Sequence, residues 1–306
     1  MIGVYIRRRS DFKILGSTLD AITARNMEWQ WIVDDDGKEP PQPRDFIRWD
    51  HAWRSNNLTG MACILAADAS YIPAFSCPVV TIPYFWDNRL APQPPGRIVC
   101  YTSERHLRFV QGLHPGTPDG PIVGWTEADA YGQSFARGLL MPKGTHWVAA
   151  LYTMKRRVPD PWRHSMRGRL WYWATCRHIR RDVRARNGTL LVKSRVKHGD
   201  PRWLQKLSHY IGNDLDMYPS TSWQVLALAT EVHHFMSGVA WEAMVAGVPH
   251  RVIRVPRPHL AGLPGQAEID RTIDGTVSRE EFLRDWIGVL DGKAGERVCD
   301  VIEEHL

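Results

Sequence analysis

The run Ser237-Gly238-Val239-Ala240-Trp241-Glu242 sets three groups that can do chemistry at a useful spacing. A small Ser-Gly turn feeding a helix exposes backbone N–H donors at the positive end of the helix dipole, an arrangement that favours phosphate oxygens. Glu242 falls four residues after Gly238, about one helical turn further on. From there a carboxylate can accept hydrogen bonds from both hydroxyls of a ribose whose diphosphate rests on the turn. Gly247 and Pro249 then stop the helix. An ordinary strand, turn and helix carrying a surface glutamate would read the same way.

A second cluster lies upstream, where Lys193, Arg195 and Lys197 alternate at the end of an apolar run. Strand periodicity puts all three on one side, beyond the strand's carboxyl end, where a diphosphate would find counter-charge. A solvated basic rim is the alternative. His233 and His234 are neighbours on a strand, so they take opposite faces and cannot chelate one ion together; they read as packing residues. The five cysteines are scattered without a paired spacing, which argues against a zinc site and a disulfide framework. Gly-x-Gly-x-x-Gly, P-loop, His-Glu-x-x-His and nucleophile-elbow patterns are missing and no Asp-x-Asp run stands out as a clear metal motif, so the reading is metal-independent chemistry without a resident cofactor.

The segment from Ser237 to Pro249 resembles the nucleotide-binding segment of GT-B glycosyltransferases, of the related UDP-N-acetylglucosamine 2-epimerases and of CDP-glycerol glycerophosphotransferases. The resemblance implies that Ser237 and Gly238 hold a donor diphosphate and Glu242 the ribose. The order of a strand ending in Lys193, a helix, the Tyr218-Pro219-Ser220 loop, a helix and then the Ser-Gly turn is similar to the C-terminal domain of the CDP-glycerol transferase group, which adds Ser220. Lys155 and Arg156 follow a strand in a loop that faces the donor phosphates in GT-B enzymes. In the first half, Trp86-Asp87-Asn88 stands where the CDP-glycerol group carries Trp-His-Gly, so no histidine base is inherited. Asp87 is the expected base in its place, able to take the proton of an acceptor hydroxyl. Asp11, Asp50 and His51 are its rivals, and an Asp also serves as a helix cap or turn former.

Positioning such groups takes alternating strands and helices. IGVYI (2–6), WQWIV (29–33), ACILA (62–66), PVVTIPYF (78–85), RIVCYTS (97–103) and PIVGW (121–125) read as strands of one sheet, with a helix through Leu15, Leu19 and Ile22 after the first. HWVAALYT (146–153), TLLVKS (189–194), HHFM (233–236) and RVIRV (251–255) read as a second. Helices are expected at about 161–186, 203–210, 222–230, 239–246, 279–290 and 294–304. The fold class is therefore α/β, with two Rossmann-like domains facing across a cleft, residues 1–142 for the acceptor and 143–306 for the nucleotide donor. The last helices are allowed to pack back on the first domain.

Composition narrows the partners. No apolar run is long enough to span a bilayer and no signal peptide precedes the first strand, which reads as a cytoplasmic protein. Residues 141–200 hold 15 Lys or Arg against 3 Asp or Glu, a local excess of +12 that asks for an anionic partner. Three readings follow. The first is a glycosyltransferase moving a sugar from a nucleotide-sugar, a UDP-sugar above all, to a hydroxymethylated base in double-stranded DNA, an analogy with phage DNA glucosyltransferases at the level of fold and charge. The second is transfer of sugar or polyol-phosphate to a cell-wall or lipid-linked glycan. The third is a non-catalytic nucleic-acid- or membrane-binding protein on the same fold. Fourteen tryptophans, including Trp29, Trp31, Trp49, Trp53, Trp86 and Trp125 in the first half, suit stacking on sugars or bases as well as core packing.

Overall fold

Short runs of Val, Ile, Leu and Ala closed by polar or Gly residues become strands buried on both faces, as a parallel sheet covered by helices requires. The computed structural model describes residues 1–6, 10–33, 60–67, 75–82, 96–131, 147–154, 165–194, 202–207, 209–211, 221–255 and 262–306. Of these, residues within 1–133 and 283–306 form one compact unit, and those within 134–214 and 221–282 a second.

The first unit holds β1 (Ile2–Ile6), α1 (Ser10–Ala24), β2 (Trp29–Val33), β3 (Cys63–Ala67), β4 (Val79–Ile82), β5 (Arg97–Val99) and α2 (Glu104–Leu113). All strand pairs are parallel, in the order β2-β1-β3-β4-β5. Ile2, Val4 and Ile6 meet Leu65, Val80 and Leu15 in its core. The expected strand at 121–125 is a single bridge, Tyr101 to Ile122, because a 3-10 turn at Thr126–Tyr131 takes over at once. Cys63, Cys100 and Cys299 are buried, which pushes their thiols up to about 11, 12 and 12. Protonated thiols of that kind pack and do not attack.

The second unit holds β6 (Val148–Tyr152), α3 (Met166–Ala185), β7 (Thr189–Lys193), α4 (Arg202–Gln205), β8 (His209–Ile211), α5 (Thr221–Leu228), β9 (Glu231–His234), α6 (Val239–Ala246), β10 (His250–Val252), α7 (Gln266–Ile273) and α8 (Arg279–Phe282). Its strands are also parallel, ordered β10-β9-β6-β7-β8. The chain begins in the middle at β6, runs outward through β7 and β8, and returns to the other side of β6 as β9. That reversal makes the carboxyl ends of β6 and β9 the topological switch point, where open α/β sheets bind ligands.

Three expectations change here. The helix foreseen at 203–210 is one turn followed by β8, because Leu204 and Leu207 enter the core while His209 to Ile211 pair with β7 at its edge. The strand foreseen at 233–236 starts at Glu231 and ends at His234, since Phe235 and Met236 already belong to the turn. The helix foreseen at 279–290 breaks into α8 and a π turn, Leu283–Ile287, closed by Gly288 at φ 71°. The chain then ends in α9 (Ala294–Glu303), whose Val298 and Ile302 join the first unit's core. Gly295 is required there, because a Cβ would stand 2.5 Å from the Ser17 backbone of α1.

Candidate nucleotide site at the second sheet

Register fixes what lies at the switch point. Tyr152 is paired with Lys193 on one side and with His234 on the other, so the ends of β7, β6 and β9 lie level. Thr153 continues β6 by donating its N–H to the Lys193 carbonyl at 3.0 Å. Three residues past His234 comes Ser237, with Lys193 two strands, about 10 Å, away.

The turn is held from beneath. The His234 ring is buried, and its Nδ1 accepts the Ser237 N–H at 3.2 Å, so a proton on the neutral ring resides on Nε2. Met236 adopts φ 48°, a left-handed conformation that a non-glycine residue takes at a cost of about 1 kcal/mol or more. Gly238 then caps α6 without any side-chain cap bond. Ser237 Oγ accepts the Val239 N–H at 3.2 Å, while the Ala240 and Trp241 N–H groups bond back to the carbonyls of Ser237 and Gly238. Among the described residues the Gly238 N–H has no hydrogen-bond acceptor. Gly238 itself sits at φ −58°, and a Cβ there would touch the Trp241 ring at 3.0 Å. Trp241 is fixed by its Nε1–H donating to Thr272 Oγ1 at 2.9 Å.

Glu242 sits in the first turn of α6 and is 7% exposed, so it is not a surface glutamate. A buried carboxylate on a short helix implies polar company. The far end of α6 is closed independently. Gly247 turns at φ 69°, the Val248 N–H returns to the Ala243 carbonyl, and the Arg279 guanidinium binds the Met244 and Val245 carbonyls at 2.7 and 3.3 Å.

Of the basic cluster, Lys193 is described and only 2% exposed, with Nζ donating to the Ser194 carbonyl at 3.1 Å. It is a buried cation at the sheet's carboxyl edge, not part of a solvated rim. Lys155, Arg156, Arg195, Lys197 and Ser220 lie outside the described residues, as do Asp87, Asp50 and His51. Asp11 is described, buried in the first turn of α1.

One feature escaped the sequence reading. His234 supports the turn besides packing, a role visible only once Ser237 is seen to fold back over the strand end. His233 and His234 do take opposite faces: His233 Nε2 meets Glu231 at 2.6 Å, while His234 stacks obliquely 5.4 Å from His250. Burial holds His233 below the usual imidazole range despite Glu231, and it does the same to His250.

No family model matches the chain. No curated protein matches it by sequence either. Solved structures do. The UDP-GlcNAc 2-epimerase of Methanocaldococcus jannaschii superposes with a TM-score of 0.57 at 12% identity, covering 99% of each chain. The wall teichoic acid polymerase TagF gives 0.58 at 9% identity over 99% of this chain and 88% of the other. The Neisseria meningitidis UDP-GlcNAc 2-epimerase, bound to UDP-GlcNAc, gives 0.54 at 12% identity over 99% and 100%. The chain thus has the α/β fold of GT-B-like nucleotide-sugar enzymes, with two parallel sheets. At these identities the likeness is one of fold.

Proposed function

We propose that the chain is a nucleotide-dependent glycosyltransferase whose second unit holds the donor at the carboxyl edge of β6, β7 and β9. The observation that carries this reading is the Ser237-Gly238 turn at the switch point, with an unfilled N–H and a buried Glu242 one turn beyond. The Gly238 N–H and Ser237 Oγ bind diphosphate oxygens, Glu242 accepts from the ribose hydroxyls, and Lys193 offsets charge on the departing diphosphate. Lys155, Arg156, Arg195, Lys197 and Ser220 complete the phosphate shell. In the transfer an acceptor hydroxyl oxygen bonds the anomeric carbon, the bond from that carbon to the diphosphate oxygen breaks, and Asp87 takes the hydroxyl proton. Stabilising the diphosphate supplies most of the rate, with no resident cofactor or metal ion.

Two acceptors suit the charge of residues 141–200. Double-stranded DNA with hydroxymethylated bases draws on the +12 excess alone. A cell-wall or lipid-linked glycan draws also on the apolar side chains exposed among those arginines, and that observation favours it. The test is a thermal-shift panel of UDP, UDP-sugars and CDP-glycerol, followed by incubation of the stabilising donor with lipid-linked glycan and with hydroxymethylcytosine duplex. Mass gain on the glycan supports the favoured acceptor, gain on the duplex reverses the choice, and no stabilisation by any nucleotide leaves a non-catalytic binding protein.

A further inference from the structure

α3 packs on the second unit through Gly168, Tyr172, Cys176, Ile179 and Val183. At about 100° per residue, the opposite face is occupied in order by Met166, Leu170, Trp173, Arg177, Arg181 and Arg184. Its first half is apolar and exposed: Met166 is 76% accessible, Leu170 58% and Trp173 39%. Seven large apolar side chains are exposed among the described residues, and three of them fall on these two turns, so the patch is not scatter. Its second half is cationic. The Arg177 guanidinium lies 4.6 Å over the Trp173 ring, joining the halves. The helix holds a single acid, Asp182, which is bound to Arg186, and among the described residues Arg177, Arg181 and Arg184 have no acidic partner. Arg180 between them is depressed by burial and by the charges of Arg184 and Arg177, a sign of crowded positive charge.

We infer that the outward face of α3 docks on an anionic phospholipid surface, lying in the plane of the interface. Met166, Leu170 and Trp173 enter the boundary between headgroups and acyl chains, and Arg177, Arg181 and Arg184 meet lipid phosphates about one, two and three turns further along. Guanidinium forks serve lipid and nucleic-acid phosphates equally well. The apolar half decides between them, because three exposed apolar side chains gain nothing over a sugar-phosphate backbone and leave water at a bilayer. No described helix is long and apolar enough to cross a membrane, so contact through one helix face is the mode available to these residues.

The inference stands apart from the donor site, since none of these residues belongs to it. Sedimentation of the full chain with phosphatidylcholine vesicles, with and without phosphatidylglycerol, at physiological salt is the experiment. The expected result is binding that needs phosphatidylglycerol. It should fall about tenfold or more both in the double variant Leu170→Ser/Trp173→Ser and in the triple variant Arg177→Gln/Arg181→Gln/Arg184→Gln. Met166→Ser, at the most exposed of the positions, should weaken binding without touching the fold, and nucleotide affinity should persist in every variant. No binding to anionic vesicles overturns the inference, and so does binding that survives loss of the apolar side chains. Affinity for a DNA duplex that only the arginine variants lose, with no vesicle binding, would assign the face to nucleic acid instead.

Discussion

The N-termini of α9 in the first unit and α6 in the second face the same physical problem and meet it in opposite ways. Each presents N–H donors at the positive end of a helix. At α9 a buried carboxylate closes the end: Asp129 accepts from Ala294 at 3.1 Å and from Gly295 at 2.8 Å. Burial still raises the Asp129 pKa, against the pull of those two N–H groups. At α6 the hydroxyl of Ser237 reaches one N–H and the Gly238 N–H is left open. The glycines differ in the same sense. Gly295 is needed so that α9 can lie against α1, whereas Gly238 is crowded only by the edge of a tryptophan ring. A closed helix end is structure; an open one at a switch point is available to a ligand.

Four substitutions press on that contrast. Asp129→Ala strands two buried donors and should cost the first unit about 3 kcal/mol in denaturant unfolding, with nucleotide affinity unchanged. A small loss would mean that the two ends are not so different. Gly238→Asp should do the reverse. Its φ of −58° is open to any residue, so folding survives, while a carboxylate in the phosphate position lowers nucleotide affinity about a hundredfold, or about 2.7 kcal/mol. Retained affinity would move the donor elsewhere.

Lys193→Met should reduce turnover at saturating donor by about tenfold while donor affinity falls less, because charge on the diphosphate peaks in the transition state. Equal losses in both would make Lys193 a simple binding residue. The smallest effect concerns pH. His250 is held below its ordinary value near 6.5 by burial, so the unfolded chain binds the proton more readily. The stability this gives is complete above that value and drains as pH falls through and below it. Thermal midpoints between neutral and mildly acid pH should therefore flatten in His250→Gln, and an unchanged slope would discharge His250 from that role.

Much of this was legible beforehand for a physical reason. Strands buried on both faces, such as β1 and β7, declare themselves as unbroken apolar runs, and the Ser-Gly turn with Glu242 is a local pattern within six residues. β8 was not legible, because one exposed and two half-buried residues carry too little periodicity to separate a strand from a helix end. Nor was the cap on α9, whose carboxylate lies 165 residues away from the N–H it accepts. The tie between His234 and Ser237 spans only three residues, yet it depends on the left-handed Met236, which nothing in the residue types announces.

The central claim is that Glu242 reads the ribose while the turn reads the diphosphate. Calorimetric titration of UDP and of inorganic pyrophosphate into the native chain and into Glu242→Ala separates the two. Loss of charge-assisted hydrogen bonds worth about 1.5 to 3 kcal/mol should weaken UDP by roughly ten- to a hundredfold and leave pyrophosphate unchanged. A folded Glu242→Ala that binds UDP as tightly as the native chain would contradict the account.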